Sequence, residues 1–216
     1  MQPSNPKWAL NVSPEDVSWA SSIVFDNRTA AWCENNPLSV YAFGRYFPPT
    51  PDKLQEKIAI LNYLNLRNTA PIKILDIGTG TGHFVKLCES LGHSCDASDI
   101  TSSLEELKDL HSIYNLNIFN LEVKAQTPTL LTSTYDLITT MRTTFDTGDQ
   151  NDRYFSAEDW NFLIADLLTH LNPNGRIFLK TNLKLHDGPA QTEIVKALGQ
   201  PLDGWNSYTY LIRKPE

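Results

Sequence analysis

"ILDIGTGTGHF" (Ile74–Phe84) puts glycines at 78, 80 and 82, directly after an apolar run that carries Asp76. Glycine has no Cβ, so such a turn admits left-handed backbone and lets a ligand approach the chain itself. The flanking residues say what the turn joins. "IKILDI", ending at Ile77, is the near-continuous apolar run of a buried strand. "HFVKLCESLG" reads as a helix stopped by Gly92. Strand, bare turn and helix in that order predict the opening unit of a parallel α/β sheet.

The alternation continues downstream. "HSCDASD" predicts a weaker strand, and "TSSLEELKDLHSIY" a helix with a capping box at Ser102 and Glu105. "LNIFNLEV" and "YDLITTM" predict two more strands. "SAEDWNFLIADLLTHL" is the clearest helix, with Trp160, Leu163, Ile164, Leu167, Leu168 and Leu171 at three- and four-residue spacing. "GRIFLKTN", "AQTEIVKALG" and "SYTYLIRK" predict strand, helix and final strand. Such crossovers are right-handed and cover both faces of a mostly parallel sheet.

Upstream the character changes. Trp8 to Phe47 holds eight of the 22 aromatics: Trp8, Trp19, Phe25, Trp32, Tyr41, Phe43, Tyr46 and Phe47. "SPEDVSWASSIVF" opens with Ser13 as N-cap, Pro14 at the first helical position and two acids in the first turn. "FPPTP" (Phe47–Pro51) cannot continue a helix, because proline lacks the amide donor. "PDKLQEKIAILNYL" then predicts a helix with Leu54, Ile58, Leu61 and Tyr63–Leu64 near one face. The expected division is an N-terminal cap or lid, residues 1–50, and a core, residues 51–216.

With 216 residues, 41% of them hydrophobic, the chain suits one domain with a modest extension and a real core. The net charge of -7 and pI near 5.2 disfavour a nucleic-acid partner, which needs Lys and Arg gathered on one face. Cys33, Cys88 and Cys95 are odd in number and lack paired ligand spacing, so they read as reduced thiols and no metal site is expected. "MQPSNPKWAL" has no signal pattern and no run approaches eighteen apolar residues, so no membrane partner is expected either. A cytoplasmic protein is the expectation.

The glycine turn separates two ligand classes. Dinucleotide binders use G-x-G-x-x-G, whose third glycine would fall at His83. Asp76, two residues before Gly78, would face a phosphate badly, but it suits an ammonium group, directly or through water. The turn is therefore read as built for a ligand with a cationic amino-acid end.

"LDIGTGTG" resembles the first motif of class I S-adenosylmethionine-dependent methyltransferases, an acid followed by G-x-G-x-G. "GHSCDASDIT" resembles their second motif, "TYDLITTM" their fourth-strand motif, and "HLNPNGRIFLKTN" their turn into strand five. The resemblance spans Ile72 to Asn182 with four motifs in order. It implies a Rossmann-like three-layer sandwich with a mostly parallel seven-stranded sheet, or one shortened at the C-terminus, where only "SYTYLIRK" is clear and its partner is at best "PLDGW". The implied cofactor is S-adenosyl-L-methionine, cradled by Asp76, Gly78, Thr79, Gly80 and Gly82. On this alignment Asp99, with Ile100 beside it, grips both ribose hydroxyls, and Asp96 is the competing choice. Thr140 and Met141 line the methionine portion. After the third strand many members carry an acid that receives the adenine amino group. This sequence instead offers Lys124, Ala125 and Gln126; the cofactor assignment there falls on Ala125 and Gln126, the latter through its carbonyl oxygen.

Methyl transfer from a sulfonium depends chiefly on alignment, so class I enzymes share no single catalytic residue. Three places are expected to face the methyl group. Arg142 and Asp146 follow strand four, the first suited to a substrate carboxylate and the second to an amine or a base role. Asn182 ends strand five, with His186 and Asp187 beyond it as solvated residues. The aromatic N-terminal segment is a lid or ordinary core, and His83 packs at its helix start. No N-P-P-[YF] signature is present. A small-molecule substrate leads. Two alternatives stay open: chemistry on the cofactor's aminocarboxypropyl arm, and a non-catalytic cofactor-binding subunit.

Overall fold

The computed structural model of the chain describes residues 12–35, 49–143, 145, 154–181, 188–205 and 208–215. Their elements are α1 (Pro14–Val24), α2 (Asn27–Asn35), α3 (Pro51–Tyr63), β1 (Lys73–Ile77), α4 (His83–Ser90), β2 (Ser94–Asp99) and α5 (Thr101–Tyr114). Then come β3 (Ile118–Asn120), β4 (Tyr135–Thr143), α6 (Ala157–Thr169), β5 (Leu171–Thr181), α7 (Pro189–Leu198) and β6 (Thr209–Arg213).

The strands form one sheet in the order β3-β2-β1-β4-β5-β6, with β6 antiparallel to β5 and all other pairs parallel. Side chains alternate across a strand, so each strand feeds two cores. Ile74, Ala97, Leu137 and Phe178 join Ile58, Leu61 and Leu87 on the face covered by α1 to α5. Leu75, Ile138, Ile177 and Leu179 join Trp160, Leu163, Leu167 and Ile194 under α6 and α7. This is the expected three-layer Rossmann-like sandwich.

Of the two forms expected, a full seven-stranded sheet or one shortened at the C-terminus, the shortened one is found: six strands among the described residues. At "PLDGW" the chain turns, with the Leu202 amide donating to the Thr209 carbonyl at 2.8 Å, so β6 pairs with β5 without an intervening strand. The capping box expected at Ser102 does not form. β2 runs to Asp99 and α5 begins at Thr101, so Ile100 is the N-cap and its amide goes to Asp99 Oδ1 at 2.9 Å. Capping boxes do form at Ser13–Asp16 and at Ser156–Asp159. Tyr63 is 44% exposed and falls off the buried stripe of α3.

The N-terminal helices are built into the first core. Ala20, Val24 and Trp32 are buried in the same cluster as Ile58 and Leu61. The Tyr114 hydroxyl donates to the Val24 carbonyl, Arg67 pairs with Asp16, and the Arg67 guanidinium lies 4.6 Å from the centre of the Trp19 ring. Trp8, Tyr41, Phe43, Tyr46 and Phe47 lie outside the described residues. Stripping α1 and α2 from this face would expose aliphatic side chains whose burial is worth roughly 1.5–3 kcal/mol each. Deletion of residues 1–46 is therefore expected to give a remainder that binds a hydrophobic dye and loses its cooperative urea transition; an unchanged transition would place the stability elsewhere.

Candidate active site

β1 lies between β2 and β4, so the chain leaves it in opposite directions on its two sides. In open α/β sheets the crevice beyond the carboxyl ends of strands at such a point receives the ligand. The glycine loop stands there. Gly78, Gly80 and Gly82 all have left-handed backbone, with φ of 71°, 54° and 75°. The amides of Gly78 and Thr79 donate to the Ser98 carbonyl at 2.8 and 3.0 Å, which folds the loop back over the end of β2. A Cβ on Gly78 would collide with Thr143, whereas one on Gly80 would meet no atom within 4 Å.

Two acids flank this loop. Asp99 is 9% exposed and its Oδ2 accepts the Gly80 amide at 2.8 Å, while Oδ1 takes the Ile100 amide. Asp96, the competing candidate, instead faces Lys73, Asn117 and Tyr135, away from the loop. Asp76 is 2% exposed and accepts from the Thr139 hydroxyl at 2.6 Å. Burial pushes its carboxyl up to about 6, against the hydroxyls of Thr139 and Thr79 and the positive charge of Lys57.

Beside the loop a cavity opens, lined by Gly78, Thr79, Gly80, Thr81, Met141 and Arg142. Glu56, Lys57 and Ile60 of α3, Leu107 of α5 and Lys180 of β5 also line it. Glu56 Oε2 lies 2.8 Å from Arg142 Nη2, and its Oε1 lies 3.0 Å from Lys180 Nζ. Burial alone would raise the Glu56 carboxyl, but the charges of Lys180, Arg142 and Lys57 hold it below its ordinary value. Burial lowers the Lys180 and Lys57 ammonium groups against the pull of Glu56.

Of the sequence-predicted residues, Gly78, Thr79, Gly80, Met141 and Arg142 therefore share this cavity, with Asp76, Gly82, Asp99 and Ile100 around the loop. Thr140 is buried and donates to Thr143 Oγ1 at 3.0 Å. Ala125 and Gln126 lie outside the cavity lining, and the Gln126 amide donates to Asp159 at 2.8 Å. Asp146, Asn182, His186 and Asp187 lie outside the described residues. His83 is buried beside Tyr114, with ring centres 6.1 Å apart, and burial holds its imidazole well below the usual range.

Sequence reasoning missed Glu56, Lys57, Lys180, Thr139 and His111. His111 Nε2 bonds the Gly80 carbonyl at 2.7 Å and so fixes the loop from α5. Its signal was available: Leu107, Leu110, His111 and Tyr114 keep helical spacing, and all four are buried.

Fold and site together put a glycine loop, with a buried carboxylate on each side, beside a cavity at the carboxyl ends of the strands. A family model described as "Methyltransferase domain" matches residues 51–208. The chain belongs to the class I S-adenosylmethionine-dependent methyltransferases, and its cofactor is S-adenosyl-L-methionine. No curated protein matches the chain.

Similar solved structures include a methyltransferase from Pyrococcus furiosus, at 19% identity over 88% of this chain and 98% of that one, TM-score 0.49. A ribosomal protein L11 methylase from Lactobacillus delbrueckii subsp. bulgaricus matches at 21% identity over 74% and 80%, TM-score 0.46. S-adenosylmethionine-bound CalS10, an amino pentose methyltransferase from Micromonospora echinaspora, matches at 17% identity over 58% of this chain and 49% of its own length, TM-score 0.43. The chain thus spans about half the length of the first structures it matches.

The residues present fit the cofactor. Gly80 keeps bare backbone where any side chain would enter the cavity, and a carboxylate stands on each side of it. The raised Asp76 gives a sign to test. A carboxyl that titrates higher in the folded chain destabilises it when ionised; this cost is full above about pH 6 and fades as the pH falls toward the ordinary carboxylate range. Asp76→Asn is therefore expected to raise the urea midpoint at pH 7.5, by a margin that shrinks by pH 5, while weakening S-adenosylhomocysteine binding by about tenfold or more. Equal stability of the two proteins at pH 7.5 would count against the buried charge.

Proposed function

We propose that the chain transfers a methyl group from S-adenosyl-L-methionine to a small-molecule acceptor. The observation that carries the proposal is the pair of carboxylates, Asp76 and Asp99, on either side of a bare-backbone loop beside a cavity. When bound, the cofactor supplies a methyl group already activated by its sulfonium. The protein's task is then to hold the partners in line and to exclude water.

In this assignment Asp76 receives the ammonium group of the cofactor's amino-acid end. Asp99 gives up its Gly80 contact in part to take the ribose hydroxyls, with Ile100 against the nucleoside. Gly78, Thr79, Gly80 and Gly82 provide the cradle, and Thr140 and Met141 the wall at the methionine portion. Ala125 and Gln126 are assigned to the adenine edge. The bond from the Gln126 amide to Asp159 leaves its carbonyl oxygen as the acceptor.

Arg142 faces the acceptor, and Asp146 and Asn182, which follow β4 and β5 in sequence, complete the catalytic candidates. Residues 1–50 serve as a cap on the catalytic unit, 51–216, held through the core that Val24 and Trp32 enter. A small acceptor is favoured by the net charge of -7, which disfavours a polyanion.

Incubation of the purified chain with S-adenosylmethionine and candidate acceptors is expected to release S-adenosylhomocysteine. Release of methylthioadenosine would instead indicate use of the aminocarboxypropyl arm, and no turnover with any acceptor would favour a cofactor-binding subunit. Asp99→Ala is expected to weaken S-adenosylhomocysteine binding by about tenfold or more, about 1.4 kcal/mol, in a calorimetric titration. Unchanged affinity would overturn the ribose assignment.

A further inference from the structure

Gly80 is held by two side chains. Its amide donates to Asp99 Oδ2 at 2.8 Å, and its carbonyl accepts from His111 Nε2 at 2.7 Å. The two residues before it are tied differently, by the amides of Gly78 and Thr79 to the Ser98 carbonyl of β2. A further bond at this turn, from the Gly82 amide to the Thr79 carbonyl at 3.0 Å, lies within the loop. The place of Gly80 above the sheet is therefore set by Asp99 on one side and His111 on the other.

A ligand treats the two tethers differently. Asp99 is the residue assigned to the ribose hydroxyls, so the cofactor competes for the oxygen that the Gly80 amide uses. A glycine freed at its amide has both left- and right-handed backbone angles open to it, because no Cβ forbids either. Its φ of 54° must then be kept by the contact that remains.

His111 is placed to keep it. Leu107 and His111 stand one turn apart on the same face of α5; the first lines the cavity and the second bonds the loop. Among the described residues the imidazole is outside the cavity lining, and it uses a carbonyl that no proposed cofactor contact claims. A carbonyl oxygen only accepts, so the proton of this buried ring sits on Nε2. The end of α5 is itself firmly seated against the loop and α4. A Cβ on Gly82 would collide with Leu116, and Lys86 Nζ of α4 donates to the Tyr114 carbonyl at 3.1 Å.

We propose that His111 is a positioning residue for cofactor binding: its imidazole holds the Gly80 carbonyl, so that the turn keeps its left-handed shape when Asp99 turns to the ribose. This deepens the methyl-transfer reading and rests on its assignment of Asp99. In this role the imidazole touches neither cofactor nor acceptor. It supplies order to the most permissive residue of the loop before the ligand arrives, which lowers the entropy lost on binding.

Calorimetry with S-adenosylhomocysteine is the first measurement. A wild-type chain that does not bind it removes the cofactor reading, and an Asp99→Ala chain that binds as tightly as wild type removes the ribose assignment; either result removes this inference too. With both passed, His111→Leu, which keeps apolar bulk but loses the donor, is expected to bind S-adenosylhomocysteine about tenfold or more weakly. His111→Gln, whose side-chain amide can donate to the same carbonyl, is expected to recover most of that loss. Urea midpoints of both variants separate weakened binding from weakened folding. Nitrogen-15 NMR of the wild-type imidazole needs no variant to fold, and it decides the matter if His111→Leu does not. His111 is expected as the Nε2–H tautomer in the free chain and in the complex, with that proton exchanging more slowly once S-adenosylhomocysteine is bound. A His111→Leu chain that binds like wild type, a His111→Gln chain no better than His111→Leu, or a proton on Nδ1 instead would overturn the inference and leave the cofactor reading intact.

Discussion

A carboxylate buried beneath a glycine loop sets the terms for this molecule. Asp76 is nearly inaccessible in the middle strand of the sheet, where an unpaired negative charge would be costly. Its first support is the Thr139 hydroxyl, which the parallel register of β1 and β4 puts directly opposite. Its second is positive charge from α3, carried by Lys57. The helix that covers this face cannot be purely apolar, because it must answer a charge in the sheet. Ile58 and Leu61 of α3 join the core, while Glu56 and Lys57 line the cavity.

Glu56 has a further effect on the architecture. It accepts from the ends of two neighbouring strands, at Arg142 of β4 and Lys180 of β5, and so fastens α3 across the sheet beside the cavity. Buried ion pairs of this kind are weak evidence for stability, since desolvation consumes most of what attraction returns. Their value here is positional. The carboxylate keeps two flexible cationic side chains in defined places beside the cavity.

The parts of this arrangement that were legible in the sequence are the local ones. The strand, the bare turn and α4 announce themselves within Ile74–Phe84, and Asp99 follows at the end of the next strand. Ser13 with Asp16 caps α1 through contacts three residues apart. At Ser102 the same logic failed because β2 leaves no room for a cap, which depends on where a strand ends rather than on the helix itself. The cation cluster was illegible for a different reason. Glu56 meets Arg142 across 86 residues, and nothing near either residue names the other. Lys180 did leave a sign, since a lysine inside "IFLK" of a doubly covered strand demands a buried acid, though not which one. The left-handed backbone of Arg142 left none.

The single hydrogen bond between His111 and the Gly80 carbonyl connects two regions that the sequence keeps far apart. One turn further along α5, Tyr114 holds the Val24 carbonyl of the first helix. The loop and the end of α1 are thus fastened to the same short stretch of helix. A change that displaces this stretch of α5 therefore disturbs both contacts at once.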